Sequence, residues 1–280
     1  MNINHLCISE SVVWQEGCDF RSALCHLSDI LEYISALECK ETISYGQDFF
    51  DLDILENCTV TQCFYCDEDD ELWEEKRLLA ELINQMTDYE DTAEPCEKIG
   101  IEFYPLLDGK KPSFRSACGL RNYLEQRRSI LAEIESPLEF YSFMLTCFSN
   151  SVFSDNISTG LKKIANFDEA LVRKSIVQDL GVLNDHALEI YDEYYPDFRA
   201  MYQALDAKVL SSGPDPKHKK DLIFEFTYTD GENIQTKKIC CSPHTKLLRK
   251  DSNLRIYFLW KDDDISPNKV LIGYIGGHPY

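Results

Sequence analysis

The hydrophobic period of this chain changes once, at Ser211-Ser212-Gly213-Pro214-Asp215-Pro216, a stretch whose composition is that of a loop or linker. Ahead of it apolar residues recur at helical spacing, and behind it they alternate. A helix buries one stripe of its surface and a strand buries every second residue, so the two periods specify different elements. Phe20, Leu24, Leu27, Leu31, Ile34 and Leu37 line one face of a helix expected over residues 20–38. A second helix is expected through Leu72, Leu78, Leu79, Leu82, Ile83 and Met86, entered through the acidic run 67–75, whose carboxylates suit a helix N-terminus. Residues 101–107 read as a short strand and 109–112 as a turn. Helices follow at 120–134, 138–148, 157–165 and 169–194, the last with a break expected near Gly181.

Beyond the switch, residues 222–228 and 234–241 flank Asp230-Gly231, the dipeptide of a tight hairpin. Two more strands are expected at 254–260 and 269–275, joined by a loop holding Asp262, Asp263 and Asp264. The fold class is α+β: a helical acidic N-terminal region, then helices packed on a small, mainly antiparallel sheet. The expected domains are 1–145, acidic and mostly helical, with a partner-binding or regulatory role, and 146–280, an α+β domain.

Charge separates along the same line. Residues 1–100 hold 24 acidic and 5 basic side chains, net −19; residues 101–200 carry −4 and residues 201–280 carry +2. Over 208–250, nine basic residues face five acidic ones. Such asymmetry is the mark of two parts with different partners, the acidic front binding a protein partner or restraining the basic back; the alternative is an acidic surface that only keeps the chain in solution. A total of −21 argues against a general nucleic-acid coat protein. With 44% hydrophobic and 28% charged residues the chain can bury a core. Its longest nearly apolar run, 138–148, contains Glu139, Ser142 and Thr146, too short and too polar for a bilayer. Residues 1–17 lack a basic start and an apolar stretch, so no secretory signal is expected. Twelve cysteines without such a signal point to free thiols and a cytoplasmic location.

Strand parity selects the candidate chemistry. Along 254–260, Ile256, Phe258 and Trp260 share one face and Arg255, Tyr257 and Leu259 the other. Along 222–228, Leu222, Phe224, Phe226 and Tyr228 lie opposite Glu225, Thr227 and Thr229. One sheet face is thus expected to lie under the helices of 155–195, and the other to present Arg255 and Tyr257 to a ligand. His244 and Lys246 follow Pro243, and His278 follows the last strand after Gly276-Gly277. Histidine and tyrosine move protons while guanidinium and ammonium groups hold phosphate, which is the equipment of metal-free phosphodiester cleavage. The candidate catalytic residues are Arg255, His278, His244 and Tyr257, and the candidate nucleic-acid-binding residues are Lys246, Lys219 and Lys220. The alternative is a solvated sheet face for Arg255 and Tyr257 and a frayed end for His278.

Two helices, a β-meander, the inner-strand "RIYF" of 255–258 and the closing "VLIGYIGGH" of 270–278 resemble the layout of RelE/ParE-type toxin domains. The resemblance covers roughly 150–280 and rests on that layout with Arg255, Tyr257 and His278. It implies a small α+β fold, metal-free cleavage of RNA, and a place in bacterial toxin–antitoxin or antiviral defence systems. The same segments, with Phe148-Ser149-Asn150-Ser151-Val152-Phe153, are also similar to an uncharacterised bacterial family. The second reading is a non-catalytic interaction subunit of a defence complex that docks through its acidic front.

Cys58, Cys63 and Cys66 reproduce the C-x4-C-x2-C spacing of plant-type [2Fe–2S] proteins, with Cys96 at a distance. The residues between them, Thr59-Val60-Thr61-Gln62 and Phe64-Tyr65, are too bulky for a loop whose backbone N–H groups must reach sulfur. Cys63 and Cys66 have no second close Cys or His pair to complete a zinc site. No metal and no cofactor is expected. Phosphate loops, nucleophile elbows and H-E-x-x-H motifs are absent from the sequence.

Overall fold

A computed structural model of the chain describes residues 119–231, 233–248 and 252–280, and ahead of them the segments 3–5, 20–36, 42–46, 49–51, 53–55, 58–66, 72–84, 87–89, 101–104 and 115–117. Two compact units divide it, Met1–Arg127 and Arg128–Tyr280. The division falls earlier than the 145/146 boundary expected from sequence, because the side chains just after it are committed to the back of the chain. Arg128 forms a two-pronged ion pair with Asp185 at 2.6 and 2.8 Å, and Phe140 packs edge-on against Phe167 at 5.1 Å.

The first unit contains β1 (Ile3–His5), α1 (Phe20–Ser35), β2 (Thr42–Gly46), β3 (Asp53–Leu55), β4 (Cys58–Thr59), α2 (Val60–Tyr65), α3 (Trp73–Ile83), β5 (Thr87–Tyr89), β6 (Ile101–Tyr104), β7 (Arg115–Ala117) and the start of α4 (Leu120–Leu131). Of the stripe read from the sequence, Leu31 and Ile34 are buried in α1, and Ile30, outside that stripe, is buried with them. Besides its helices this unit has a five-stranded mixed sheet in the order β5-β2-β1-β6-β7. Of these strands only β6 was read, within the strand expected at 101–107; all five are no longer than five residues, too short for a sustained alternation. The acidic run 67–71 and the turn 109–112 lie outside the described residues.

The second unit is α+β. It comprises α5 (Pro137–Met144), β8 (Ser151–Phe153), α6 (Ile157–Lys162), α7 (Ala170–Tyr194), α8 (Phe198–Asp206), β9 (Ser211–Ser212), β10 (Ile223–Asp230), β11 (Asn233–Cys240), β12 (His244–Lys246), β13 (Arg255–Leu259) and β14 (Val270–Gly276). Ser136 caps α5 and Pro137 occupies its first turn, where a missing N–H costs nothing. Helix α7 continues through Gly181 without a break. Strands β8-β14-β13-β12-β9 form one sheet, antiparallel except for β8 beside β14.

Two features depart from the sequence reading, and both shape the site. Among the described residues, strands β10 and β11 pair only with each other, as a hairpin turned through Gly231 at φ 60°. Its inner side chains Leu222, Phe224, Phe226, Ile239 and Cys241 pack on Tyr257, Leu271 and Tyr274 of the larger sheet. The face that was to be open is therefore covered, while α7 packs on β13 and β14 from the side of Ile256, Phe258, Val270, Ile272 and Ile275. Second, a bulge interrupts the β13–β14 register: Tyr257 pairs with Tyr274, but Phe258 pairs with Ile272. The extra residue is Gly273, whose carbonyl accepts a 2.5 Å hydrogen bond from the Ser154 hydroxyl. A Cβ at Gly273 would stand 2.5 Å from the Phe224 ring and 2.7 Å from Cys241, so only glycine lets the hairpin lie this close. The bulge moves inward-facing parity on β14 from Leu271 to Tyr274 and so aligns Tyr274 with Tyr257.

Candidate functional site

Register assembles the site in two rows. His244, Tyr257 and Tyr274 are partners across β12, β13 and β14, and Lys246, Arg255 and Gly276 form the next row on the same face. The chain leaves β14 through Gly276, where a Cβ would stand 2.9 Å from the Tyr274 ring, and this exit returns His278 over the first row. The Tyr257 hydroxyl lies 2.8 Å from His278 Nδ1, and the His244 ring centre 5.2 Å from that of Tyr257. Arg255, Tyr257, His244 and His278 thus come together.

They differ in access. Tyr257 is 1% exposed under the hairpin and Arg255 is 8% exposed. His244 and Lys246 are half-buried, and His278 is exposed. Arg255 is accordingly no solvated face residue. Its Nη1 donates to the carbonyl oxygens of Ser252, at 2.5 Å, and Leu254, at 2.8 Å, which ties the loop before β13 to the strand, while its buried Nε has no hydrogen-bond partner.

Hydrogen bonding fixes the neutral tautomer of His244. His244 Nδ1 lies 3.2 Å from the Ser242 carbonyl. A carbonyl only accepts, so Nδ1 carries the proton and Nε2 holds the free lone pair. The Tyr257 hydroxyl can donate to neutral His278 Nδ1 or accept from it when that ring is protonated, so this contact serves either charge state of His278. Burial lowers the pKa of His244 below the usual 6.5, the Ser242 carbonyl opposes this, and Arg255, Lys246 and His278 lower it further. Burial also lowers that of His278, aided by Arg255 and His218 and opposed by Asp215. The Tyr257 phenol is pushed well above 10 by burial first and then by Tyr280, which keeps it a neutral donor.

The loop before β10 adds residues that sequence reading did not place here. His218 stacks face to face on Tyr280, with ring centres 3.6 Å apart and planes within 7°. The Tyr280 ring lies 5.0 Å from that of His278. Lys219 and Lys220 follow His218 and are exposed. In the sequence His218 reads as part of a solvated basic loop, and nothing marks the last tyrosine; only the path of the chain past Gly276-Gly277 brings them together.

Elsewhere the chemistry is spare. Cys63 is buried within α2, and Cys66 sits exposed at its end. The intervening Thr59 and Gln62 form a reciprocal capping box at 3.2 and 3.0 Å, a local reason for the residues between the cysteines. Among the described residues no group of three or more His, Cys, Asp or Glu side chains is placed to hold a metal. Cys96 lies outside them. Cys241 is wholly buried with its thiol pKa pushed up by burial, and Cys240 is half-exposed. Among the described residues no helix is long and apolar enough to cross a membrane. No protein family, no curated protein and no solved structure matches this chain.

Proposed function

We propose that the second unit is a metal-independent endoribonuclease of the RelE-like kind, in a bacterial toxin–antitoxin or antiviral defence setting and acting in the cytoplasm. The observation that supports it is the meeting of His244, Tyr257 and His278, drawn from three elements, beside Arg255 and Lys246. His244 Nε2 takes the proton of a ribose 2′-hydroxyl as that oxygen bonds to phosphorus. The bond from phosphorus to the 5′ oxygen breaks, and that oxygen leaves with the Nε2 proton of protonated His278. Lys246 faces the charge that builds on the phosphoryl oxygens, and the buried guanidinium of Arg255 beside it adds a fixed positive charge. The acidic front, at −19 over residues 1–100, binds a protein partner or competes with RNA for the basic stretch 208–250.

The test is cleavage of single-stranded RNA by the full chain in excess chelator. His244→Ala and His278→Ala should each lower the rate about 10²-fold with the fold intact. Because both imidazole pKa values fall below 6.5, the rate should peak on the acid side of that value, where one ring is neutral and the other protonated. No cleavage of any RNA by the wild type across pH 5–8 overturns the reading in favour of a non-catalytic interaction subunit.

A further inference from the structure

We propose that His218 is a nucleobase-stacking platform for single-stranded RNA, and that the chain's own Tyr280 occupies it in this structure. The proposal rests on the ribonuclease reading and extends the same site outward. Three observations carry it.

The first is the quality of the stack. Ring centres 3.6 Å apart and planes within 7° amount to full face-to-face overlap. The other stacked pairs of this unit are more offset, at 4.8 Å for Tyr191–Tyr195 and 5.7 Å for Phe224–Tyr274. A flat ring over an imidazole at that spacing reproduces the contact an unpaired base makes with an aromatic side chain.

The second is exchangeability. Tyr280 is 47% exposed and lies past the last strand, so its departure exposes the His218 face without breaking any sheet pairing. His218 itself is held by its loop: Asp221 Oδ2 lies 3.4 Å from its Nδ1, and the Asp221 amide donates to the His218 carbonyl at 2.9 Å. The platform is the anchored partner and the tyrosine the replaceable one.

The third is the surroundings. Lys217, Lys219 and Lys220 flank His218 and are exposed, which suits the phosphates on either side of a stacked base. The Tyr280 ring also stands 5.0 Å from His278. A base on the platform would therefore belong to a nucleotide next to the bond being cut, and stacking would fix that bond relative to His278 and Tyr257. The expected ligand is an unpaired RNA segment, since a base within a duplex has no free face to offer.

The test measures binding separately from cleavage. The probe is a fluorescent single-stranded RNA dodecamer with 2′-O-methyl groups, which cannot be cut by 2′-hydroxyl attack, read by anisotropy with the full chain at low salt. His218→Ala should weaken binding about tenfold and His218→Phe should restore it, because a phenyl ring stacks without titrating. Tyr280→Ala should tighten binding about threefold or more by vacating the platform, and this gain should vanish in the His218→Ala background. The same sequence as a blunt duplex should show no dependence on His218. Equal affinity of wild type and His218→Ala, or no binding by either wild type or Tyr280→Ala, overturns the proposal. The two readings fail separately: His218-dependent binding with no cleavage of unmodified RNA removes the ribonuclease and keeps the platform, whereas cleavage unaltered in rate and affinity by His218→Ala does the reverse.

Discussion

The two faces of the sheet in the second unit are covered in opposite ways. On one, Ile256, Phe258, Val270, Ile272 and Ile275 lie fully buried on the side of α7, a 25-residue helix. On the other, a two-stranded hairpin covers Tyr257, Leu271 and Tyr274 and leaves the row of His244, Tyr257 and His278 at its margin. A helix presents a broad apolar stripe and excludes water along the whole strand. A hairpin is narrow, so polar groups can reach solvent at its border while their rings stay packed. The difference shows how one sheet separates stability from chemistry: the same strand β13 gives alternate residues to each.

Phe258→Ala should show the largest effect, since it opens a cavity in the helix-covered face; a loss of about 3–5 kcal/mol by denaturant titration is expected. Amide exchange sharpens the contrast. The β10–β11 hairpin, paired to no other strand among the described residues, should open ahead of β13 and β14 in native-state hydrogen exchange. Simultaneous exchange of all four strands would mean that the two layers unfold as one.

A smaller effect is expected at a buried carboxyl of α7. Asp179 of α7 is 6% exposed, its Oδ2 has no hydrogen-bond partner, and burial raises its pKa from 3.8 to about 7, partly offset by the Thr245 hydroxyl. A carboxyl that is protonated in the fold and ionised in the unfolded chain makes stability fall as pH rises from about 4 to 7. Asp179→Asn removes that dependence and should stabilise the protein above pH 7 by on the order of 2–4 kcal/mol, seen as a higher melting temperature at pH 8 but not at pH 4. An unchanged pH dependence in the variant would show that Asp179 is ionised in the fold.

The smallest effect belongs to the hairpin margin. Tyr257→Phe keeps the ring under the hairpin and removes the hydroxyl's hydrogen bonds to His278 and Tyr280, so stability should change by about 0.5–1.5 kcal/mol. By NMR, the His278 imidazole should shift its titration in that variant while His244, held through Ser242, should not. Equal shifts at both rings would tie the two histidines into one unit and weaken the contrast between them.

Much of the second unit was legible. The parity of 222–228 is that of β10, with Leu222, Phe224 and Phe226 inside and Glu225 and Thr227 outside, because eight residues alternate without interruption. Helix α1 falls where a helix was expected over 20–38, and α4 and α7 fall within the helices expected at 120–134 and 169–194. Strands β8, β9 and β12 were not read, being two or three residues long, too short for the two-residue period to repeat. The helix α8 was also missed, although Asp197 caps it through the amides of Arg199 and Ala200, both at 3.0 Å.

The sequence by itself determined which residue types were available and, along an unbulged strand such as β13, on which side they lie. Alternation is a local property of the backbone, so Arg255 and Tyr257 had to share a face opposite Ile256 and Phe258. Only the tertiary structure decided what covers that face. A hairpin with one apolar side fits equally well beside a sheet or on top of it, and that choice is made by packing at Gly273, Phe224 and Cys241, contacts between residues far apart in the chain. The same holds for His278 and Tyr280. Their positions after Gly276-Gly277 leave the direction of the chain open, and the rings they meet, Tyr257 and His218, come from segments with no local relation to them.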